Sequence, residues 1–243
     1  MRITAIEILN NLQREIAKQD KPENRSNYQR FFKEKLKHPV GLRAPILRKI
    51  SSQCFKEIRS RPARDILGCC DDLLASGKRY MKFFAFEWSI KVANQYQPQD
   101  FKLFESWLKK YVDGWGTCDH LCCGPIGKLV HQFPDLSSKT HRWTRSQNRW
   151  LRRAAAVSLI VPVRNRLLLE DVFRTADSML VDKDDMVQKG YGWMLKEASN
   201  RFPDEVFGYV MKTKSLMPRT ALRYAIEKLP ADMRKKAMER DPG

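Results

Sequence analysis

No stretch of this chain approaches the ~20 consecutive apolar residues of a membrane-spanning helix. The opening residues, Met1-Arg2-Ile3-Thr4-Ala5-Ile6-Glu7, lack the apolar run of a secretory leader, so the expected location is the cytoplasm. There is no Gly/Ser-rich linker and no low-complexity run. Residues 1–243 are therefore expected to form a single domain. No convincing alternation of apolar and polar residues marks a strand. Carboxylates are scarce, with 28 Asp plus Glu against 46 Lys plus Arg, for a net charge of +18. That imbalance speaks about partners rather than fold: nucleic acid first, an anionic membrane second. The basic residues are spread along the chain instead of gathered in one amphipathic anchor, which favours nucleic acid and no membrane partner.

Cysteine is also sparse and oddly placed. Cys69-Cys70 and Cys122-Cys123 are adjacent, with Cys54 and Cys118 completing a set of six. Adjacent pairs suit neither a disulfide framework nor a secreted setting. Cys118, His120, Cys122 and Cys123 cluster as zinc ligands do, but no second ligand pair follows across a loop. Reduced thiols packing as small apolar groups is the favoured reading, and no metal is assigned.

What the chain has is helical periodicity. Hydrophobic residues make up 42% of it, enough for a packed core. Ala5, Ile8, Leu9 and Leu12 form one stripe, and Ile46, Leu47, Ile50 and Phe55 a less regular second. Phe83, Phe84, Phe86, Trp88 and Ile90 fall within 78–94, and Phe101, Phe104, Leu108 and Val112 trace another helix. Further helices are predicted at about 147–161, 166–180, 185–200, 204–213, 217–229 and 231–240. The breaks are short, at His38-Pro39-Val40-Gly41, Gln97-Pro98, Phe133-Pro134, Phe202-Pro203 and Leu229-Pro230. These prolines, with Pro45 and Pro218, look like helix starts. Helices of this length joined by tight turns make antiparallel pairs, and a row of them predicts an all-α fold: an α-solenoid of HEAT-like helix pairs with a concave basic face. A compact helical bundle is the alternative.

Several residues stand apart from the core stripes. Trp115 and Asp119, in Asp113-Gly114-Trp115-Gly116-Thr117-Cys118-Asp119, are four apart and so share one helix face. A carboxylate beside an indole is unexpected on so basic a protein. It makes sense for a ligand that is a polyanion and, at one point, cationic, as alkylated DNA is. Structurally, Thr117 capping a helix would put Asp119 in a first turn, where it complements the helix dipole. In 185–200, Val187, Tyr191, Met194 and Ala198 are the core positions. Trp193 lies across from them beside Lys189 and Lys196, packed on a neighbouring repeat or facing a ligand. In 147–161 the core positions are Trp150, Ala154, Val157 and Val161, while Arg149, Arg152 and Arg153 point elsewhere. Arg149 and Arg153 are a like-charge pair at four residues' spacing, which a phosphate would relieve. Asp119 to Arg153 is 34 residues and Arg153 to Trp193 is 40. Both are close to the ~40–47-residue period of helical-pair repeats, so the three could converge on one surface.

An ordered series of motifs carries a family resemblance. Tyr28 with Gly41-Leu42-x-x-Pro45, then Trp115-x-x-x-Asp119, then Asn148-x-Trp150-Leu151-Arg152-Arg153, then Val187-Gln188-Lys189-x-x-Gly192-Trp193-x-Leu195-Lys196 resemble the bacterial DNA alkylation repair enzymes of the AlkD type. The resemblance implies a HEAT-like solenoid and a monofunctional DNA glycosylase. Its implied action is removal of cationic N3- and N7-alkylated purines from double-stranded DNA without base flipping. It implies that Asp119 is the catalytic carboxylate and that Trp115 and Trp193 flank the damaged nucleotide. Arg153 then holds the DNA backbone, and Tyr28 lines the same cleft. Lys196 stands where Arg is usual in the family, keeping charge but not the bidentate fork. Asp185-Met186 stands where an aromatic pair is usual. Gly124-Pro125 is expected to bend the chain after Asp119.

The chemistry expected needs no metal or organic cofactor. An alkylated purine already carries the positive charge that makes it a leaving group, and a carboxylate near C1′ stabilises the oxocarbenium-like sugar and positions water. Arg149, Arg153, Lys189 and Lys196 are expected to hold phosphates. The protein is expected to act as a monomer. Other readings of the residues are a non-catalytic HEAT-like-repeat protein binding bent, branched or damaged DNA, and a scaffold for an acidic protein. A lyase acting through Lys189 or Lys196 is a further one.

Overall fold

A computed structural model describes residues 5–20 and 42–239, and every assigned element in them is helical. The chain divides into two compact units, Met1–Tyr96 and Gln97–Gly243. Each is built of packed helices in the all-α, solenoid-like manner that the periodicity predicts, with no strand among the described residues. No described helix is long and apolar enough to cross a membrane.

In the first unit, α1 (Ala5–Gln19), α2 (Ala44–Phe55), α3 (Ala63–Ala75) and α4 (Met81–Lys91) pack on one another. Ile8, Leu12 and Ile16 of α1 are buried at a spacing of one helical turn. Pro45 sits in the first turn of α2, where its missing N–H costs nothing. Helix α3 has no counterpart in the sequence prediction. Its buried stripe is Ile66, Leu67, Cys70, Leu73 and Leu74, helical in spacing but interrupted by a cysteine, which here packs as an apolar residue. Helix α4 is buried on most sides, including Phe84, Phe86 and Trp88. The indole N–H of Trp88 is satisfied by the carbonyl and hydroxyl of Ser51, at 3.2 and 3.0 Å.

The second unit contains α5 (Asp100–Tyr111), α6 (Trp115–Leu121), a π-helical segment (Cys122–Ile126), α7 (Gly127–Gln132) and α8 (Ser137–His141). It continues through α9 (Arg149–Val157), α10 (Ile160–Arg164), α11 (Leu169–Asp177), α12 (Asp185–Ser199), α13 (Pro203–Thr213), α14 (Arg219–Ala225) and α15 (Ala231–Met238). Helix α12 is central: it packs on α9, α10, α11, α13 and α14. Its buried residues include Val187, Tyr191, Met194 and Ala198, as the periodicity predicts. Gly192 permits its close approach to α14, because a Cβ there would lie 2.7 Å from the Cβ of Tyr224 and 2.8 Å from the carbonyl oxygen of Ala221.

The predicted helix over 147–161 is two helices. Ser158 and Leu159 interrupt it, and Pro162 follows in the first turn of α10, where a continuous helix would have needed its amide. Trp150, expected in the core, is only half-buried and lies under the Arg149 guanidinium, 5.2 Å from the ring centroid. The predicted helix over 166–180 is shorter, starting after Leu168, whose φ of 61° and ψ of 33° are left-handed and non-helical. Gly124-Pro125 bends the chain as expected: Gly124 has non-helical torsions within the π segment after Asp119.

Candidate DNA-facing site

Gly114 is extended (φ −172°), and α6 begins at Trp115. The Thr117 hydroxyl accepts from the amide of Asp113 at 3.3 Å and donates to the Gly114 carbonyl at 3.0 Å, tying the preceding loop to the first turn. Because the helix starts at Trp115, Asp119 falls beyond the first turn, where the dipole has little left to act on. Its carboxylate is instead held by an arginine. Trp115, one turn earlier on the same face, is 39% exposed.

Arg153 of α9 is the centre of the cluster and is only 5% exposed. Its Nε donates to Oδ1 of Asp119 and its Nη2 to Oδ2, both at 2.8 Å, the bidentate fork that a planar guanidinium favours. Its Nη1 donates to the Met186 carbonyl of α12 at 2.5 Å. Gly190, one turn on from Met186, leaves the space that Arg153 fills: a Cβ there would meet Arg153 Cγ at 3.1 Å. One side chain thus joins α6, α9 and α12. Burial alone would lower the pKa of Arg153, but the Asp119 carboxylate outweighs it and holds the guanidinium above its ordinary value. Arg153 was expected on an outward face; it lies inside, because Asp119 and Met186 satisfy the charge and three of its five donors. The Asp119 side chain keeps 17% exposure, so it is neither sealed in nor freely hydrated.

Trp193 lies one turn beyond Gly190 on α12 and is half-buried. Its indole Nε1–H donates to Oε1 of Glu197 at 2.8 Å, while Arg164 Nε donates to Oε2 at 2.9 Å. Burial raises the Glu197 pKa, yet these two donors hold the carboxyl below its ordinary range. Glu197 and Arg164 are not singled out by the sequence reading. The Trp193-x-x-x-Glu197 spacing is the signal that could have found the first, being one helical turn.

The other cations expected to bind phosphate already have carboxylate partners. Arg149 Nη2 donates to Asp184 at 2.8 Å and to Asp185 at 3.3 Å. Lys189 pairs with Asp185 at 3.3 Å and Lys196 with Glu227 at 3.2 Å. Arg152 meets Asp182 at 2.7 Å. The like-charge crowding of Arg149 and Arg153 is therefore relieved within the protein, by Asp184 and Asp119. Asp185 of the unusual Asp185-Met186 pair serves two cations, and Met186 contributes a carbonyl to Arg153. Tyr28 lies outside the described residues.

Cys118 and Cys122 are buried beside Asp119, and Cys123 is partly so. Burial, aided by the negative charge of Asp119, pushes the Cys123 thiol up to about 12. Among the described residues, no three His, Cys, Asp or Glu side chains come together as a metal cage.

The family model for the DNA alkylation repair enzyme matches residues 12–229. The fold is similar to that of a protein described as a predicted DNA alkylation repair enzyme from Enterococcus faecalis. The two superpose with a TM-score of 0.76 at 16% identity, over 87% of this chain and 97% of that one. No curated protein matches the chain. With the family model spanning Trp115, Asp119, Arg153 and Trp193, the chain belongs to the DNA alkylation repair enzyme family, of the AlkD type.

Proposed function

We propose that this protein is a monofunctional DNA glycosylase that hydrolyses the N-glycosidic bond of cationic N3- and N7-alkylated purines in duplex DNA. The observation that carries this reading is the carboxylate of Asp119. It is clamped through both oxygens by Arg153 at 2.8 Å, on the same helix face as a 39% exposed indole, in a protein of net charge +18. A carboxylate accepts about four hydrogen bonds. The fork uses one lone pair on each oxygen and fixes the plane of the group. The remaining lone pairs are oriented in advance for a water molecule or for positive charge developing on a sugar.

In the proposed reaction the C1′–N bond breaks and its electron pair goes to the alkylated purine, which leaves neutral. C1′ becomes electron-poor, and Asp119 stabilises it without reorganising, the main advantage of a preset charge. Water, oriented by Asp119, adds to C1′ and passes its proton to the Asp119 carboxylate, which releases it to solvent. Trp115 and Trp193 present indole faces to the cationic nucleotide, worth ~0.5–2 kcal/mol each. The base remains in the duplex, as the family resemblance implies. Arg149, Lys189 and Lys196 exchange carboxylate partners for phosphates as DNA docks, and residues 1–243 act as one monomeric DNA-binding domain.

One observation favours a second reading. Each of these cations already has a carboxylate partner, and Asp119 could serve Arg153 alone, as in a non-catalytic repeat protein that binds bent or damaged DNA. Chromatography of bases freed from methylated duplex DNA separates the two. Glycosylase action gives 7-methylguanine and 3-methyladenine with the wild type and little with Asp119→Asn. Absence of free base with the folded wild type, alongside retained DNA binding, would establish the second.

A further inference from the structure

Trp193 is a half-buried side chain whose ring is set by a relay that no part of the proposed reaction uses. Its indole N–H donates to one oxygen of Glu197, a turn further along α12, and the second oxygen takes the Arg164 guanidinium at the end of α10. The next link holds Arg164 itself: Arg201 Nε donates to the Arg164 carbonyl at 2.9 Å. Glu197 is the least exposed member of its ion pair, its side chain 14% exposed against 45% for Arg164. A half-exposed indole left to itself has two free torsions and satisfies its N–H with any passing water. Here a charged acceptor fixes both the ring plane and its edge, and charge-assisted hydrogen bonds are the strong ones.

We infer that Glu197 is a positioning residue for Trp193: its carboxylate, braced by Arg164, sets the indole face that meets the cationic nucleotide. The inference rests on the proposed role of Trp193 and assigns its orientation to two side chains outside the motifs that carry the family resemblance. Attraction between an indole and a cation acts over the ring face and falls away when the face is turned. Displacement of a positioned group by a fraction of an ångström is felt in the rate more than in binding. Loss of the acceptor therefore acts on the chemical step and leaves DNA affinity near its original value.

The experiment is single-turnover release of 7-methylguanine from duplex DNA, with affinity for the same DNA measured by fluorescence anisotropy. Glu197→Leu, which has no acceptor, is expected to slow release about tenfold. Glu197→Gln, whose one amide oxygen can still accept the indole N–H but loses the charge and the Arg164 brace, is expected to fall between the wild type and Glu197→Leu. Glu197→Asp, which keeps the charge but withdraws it by one methylene, tracks Glu197→Leu and serves if the leucine variant does not fold. The deciding comparison uses Trp193→Phe, which keeps an aromatic face but has no N–H to orient. In that background, Glu197→Leu and Glu197→Asp should cost nothing further. Equal losses in both backgrounds would assign Glu197 a structural role through Arg164 and overturn the inference. So would wild-type release by Glu197→Leu while Trp193→Ala is impaired. Full release by Trp193→Ala would instead refute the role of Trp193 itself.

Discussion

Asp119→Asn perturbs two quantities at once, and the structure lets them be separated. The substitution removes the charge that faces the Arg153 guanidinium and replaces one acceptor oxygen with an amide nitrogen that can only donate. Arg153, 5% exposed, is then left with its charge uncompensated, holding only the Met186 carbonyl and the one remaining side-chain oxygen at position 119. Removing one member of a buried pair costs about 3–5 kcal/mol. The 17% exposure of Asp119 lets water replace part of the loss, so the lower end, about 3 kcal/mol, is expected. For a chain of this size that is a fall in Tm of roughly 6–12 °C. The chemical effect is independent of this: loss of a preset charge at a developing cation is worth about a hundred- to a thousandfold in rate. The double variant Asp119→Asn, Arg153→Met distinguishes them. With both charges gone, most of the stability should return, less about 1 kcal/mol for the Met186 carbonyl that loses its donor. Base release should remain as low as in the single variant. The assay is single-turnover release of 7-methylguanine at a temperature well below the Tm of both variants, alongside calorimetry. Wild-type release by either folded variant would refute the assignment of Asp119.

The other predictions concern packing, acid and salt. Gly192→Ala places a Cβ 2.7 Å from the Cβ of Tyr224 and 2.8 Å from the Ala221 carbonyl oxygen, so α12 and α14 must part, at a cost of about 1–3 kcal/mol. Gly190→Ala, whose nearest contact is a side-chain carbon at 3.1 Å, should cost less, and equal denaturation midpoints would contradict the helix spacing. Glu197 and Glu105 both titrate below the ordinary range despite burial, the latter through bonds from Trp143 and Lys109. Their folded pKa values are depressed, so their stabilisation is present above the unfolded value of about 4.3 and disappears as pH falls through the folded one. Glu105→Gln and Glu197→Gln should each flatten the fall in Tm between about pH 5 and pH 3, and an unchanged slope would remove the pairs from the account. DNA binding should weaken as salt rises, because phosphates that replace carboxylates on Arg149, Lys189 and Lys196 release counterions. A flat salt titration would argue against a phosphate-lined surface.

Much of the helical framework can be read from the chain, and the misses have identifiable causes. The stripe of Val187, Tyr191, Met194 and Ala198 defines α12 because long apolar side chains at helical spacing have no other way to be buried together. Helix α3 escapes notice because a cysteine interrupts its stripe and only packing makes it apolar. The short elements between Gly114 and Arg145 escape for another reason. Gly116, Gly124, Pro125, Gly127 and Pro134 lower local helix propensity, and contacts with neighbouring helices hold these turns where sequence alone would not. In the candidate site, Trp115, Asp119, Arg153 and Trp193 stand out by residue type and spacing. Glu197 does not, since a glutamate one turn from a tryptophan is unremarkable until a second helix brings Arg164 to it.

By itself the sequence determined an all-α fold and a polyanionic class of partner, since periodicity and net charge are properties of the chain that survive any arrangement of its helices. The tertiary structure decided which charges answer one another. Arg153 finds Asp119 34 residues away and Arg149 finds Asp184 35 away, across helices whose packing no local pattern specifies. An arginine that is a surplus cation by composition becomes a buried clamp on a carboxylate, because its hydrogen bonds to two neighbouring helices offset the cost of taking it out of water.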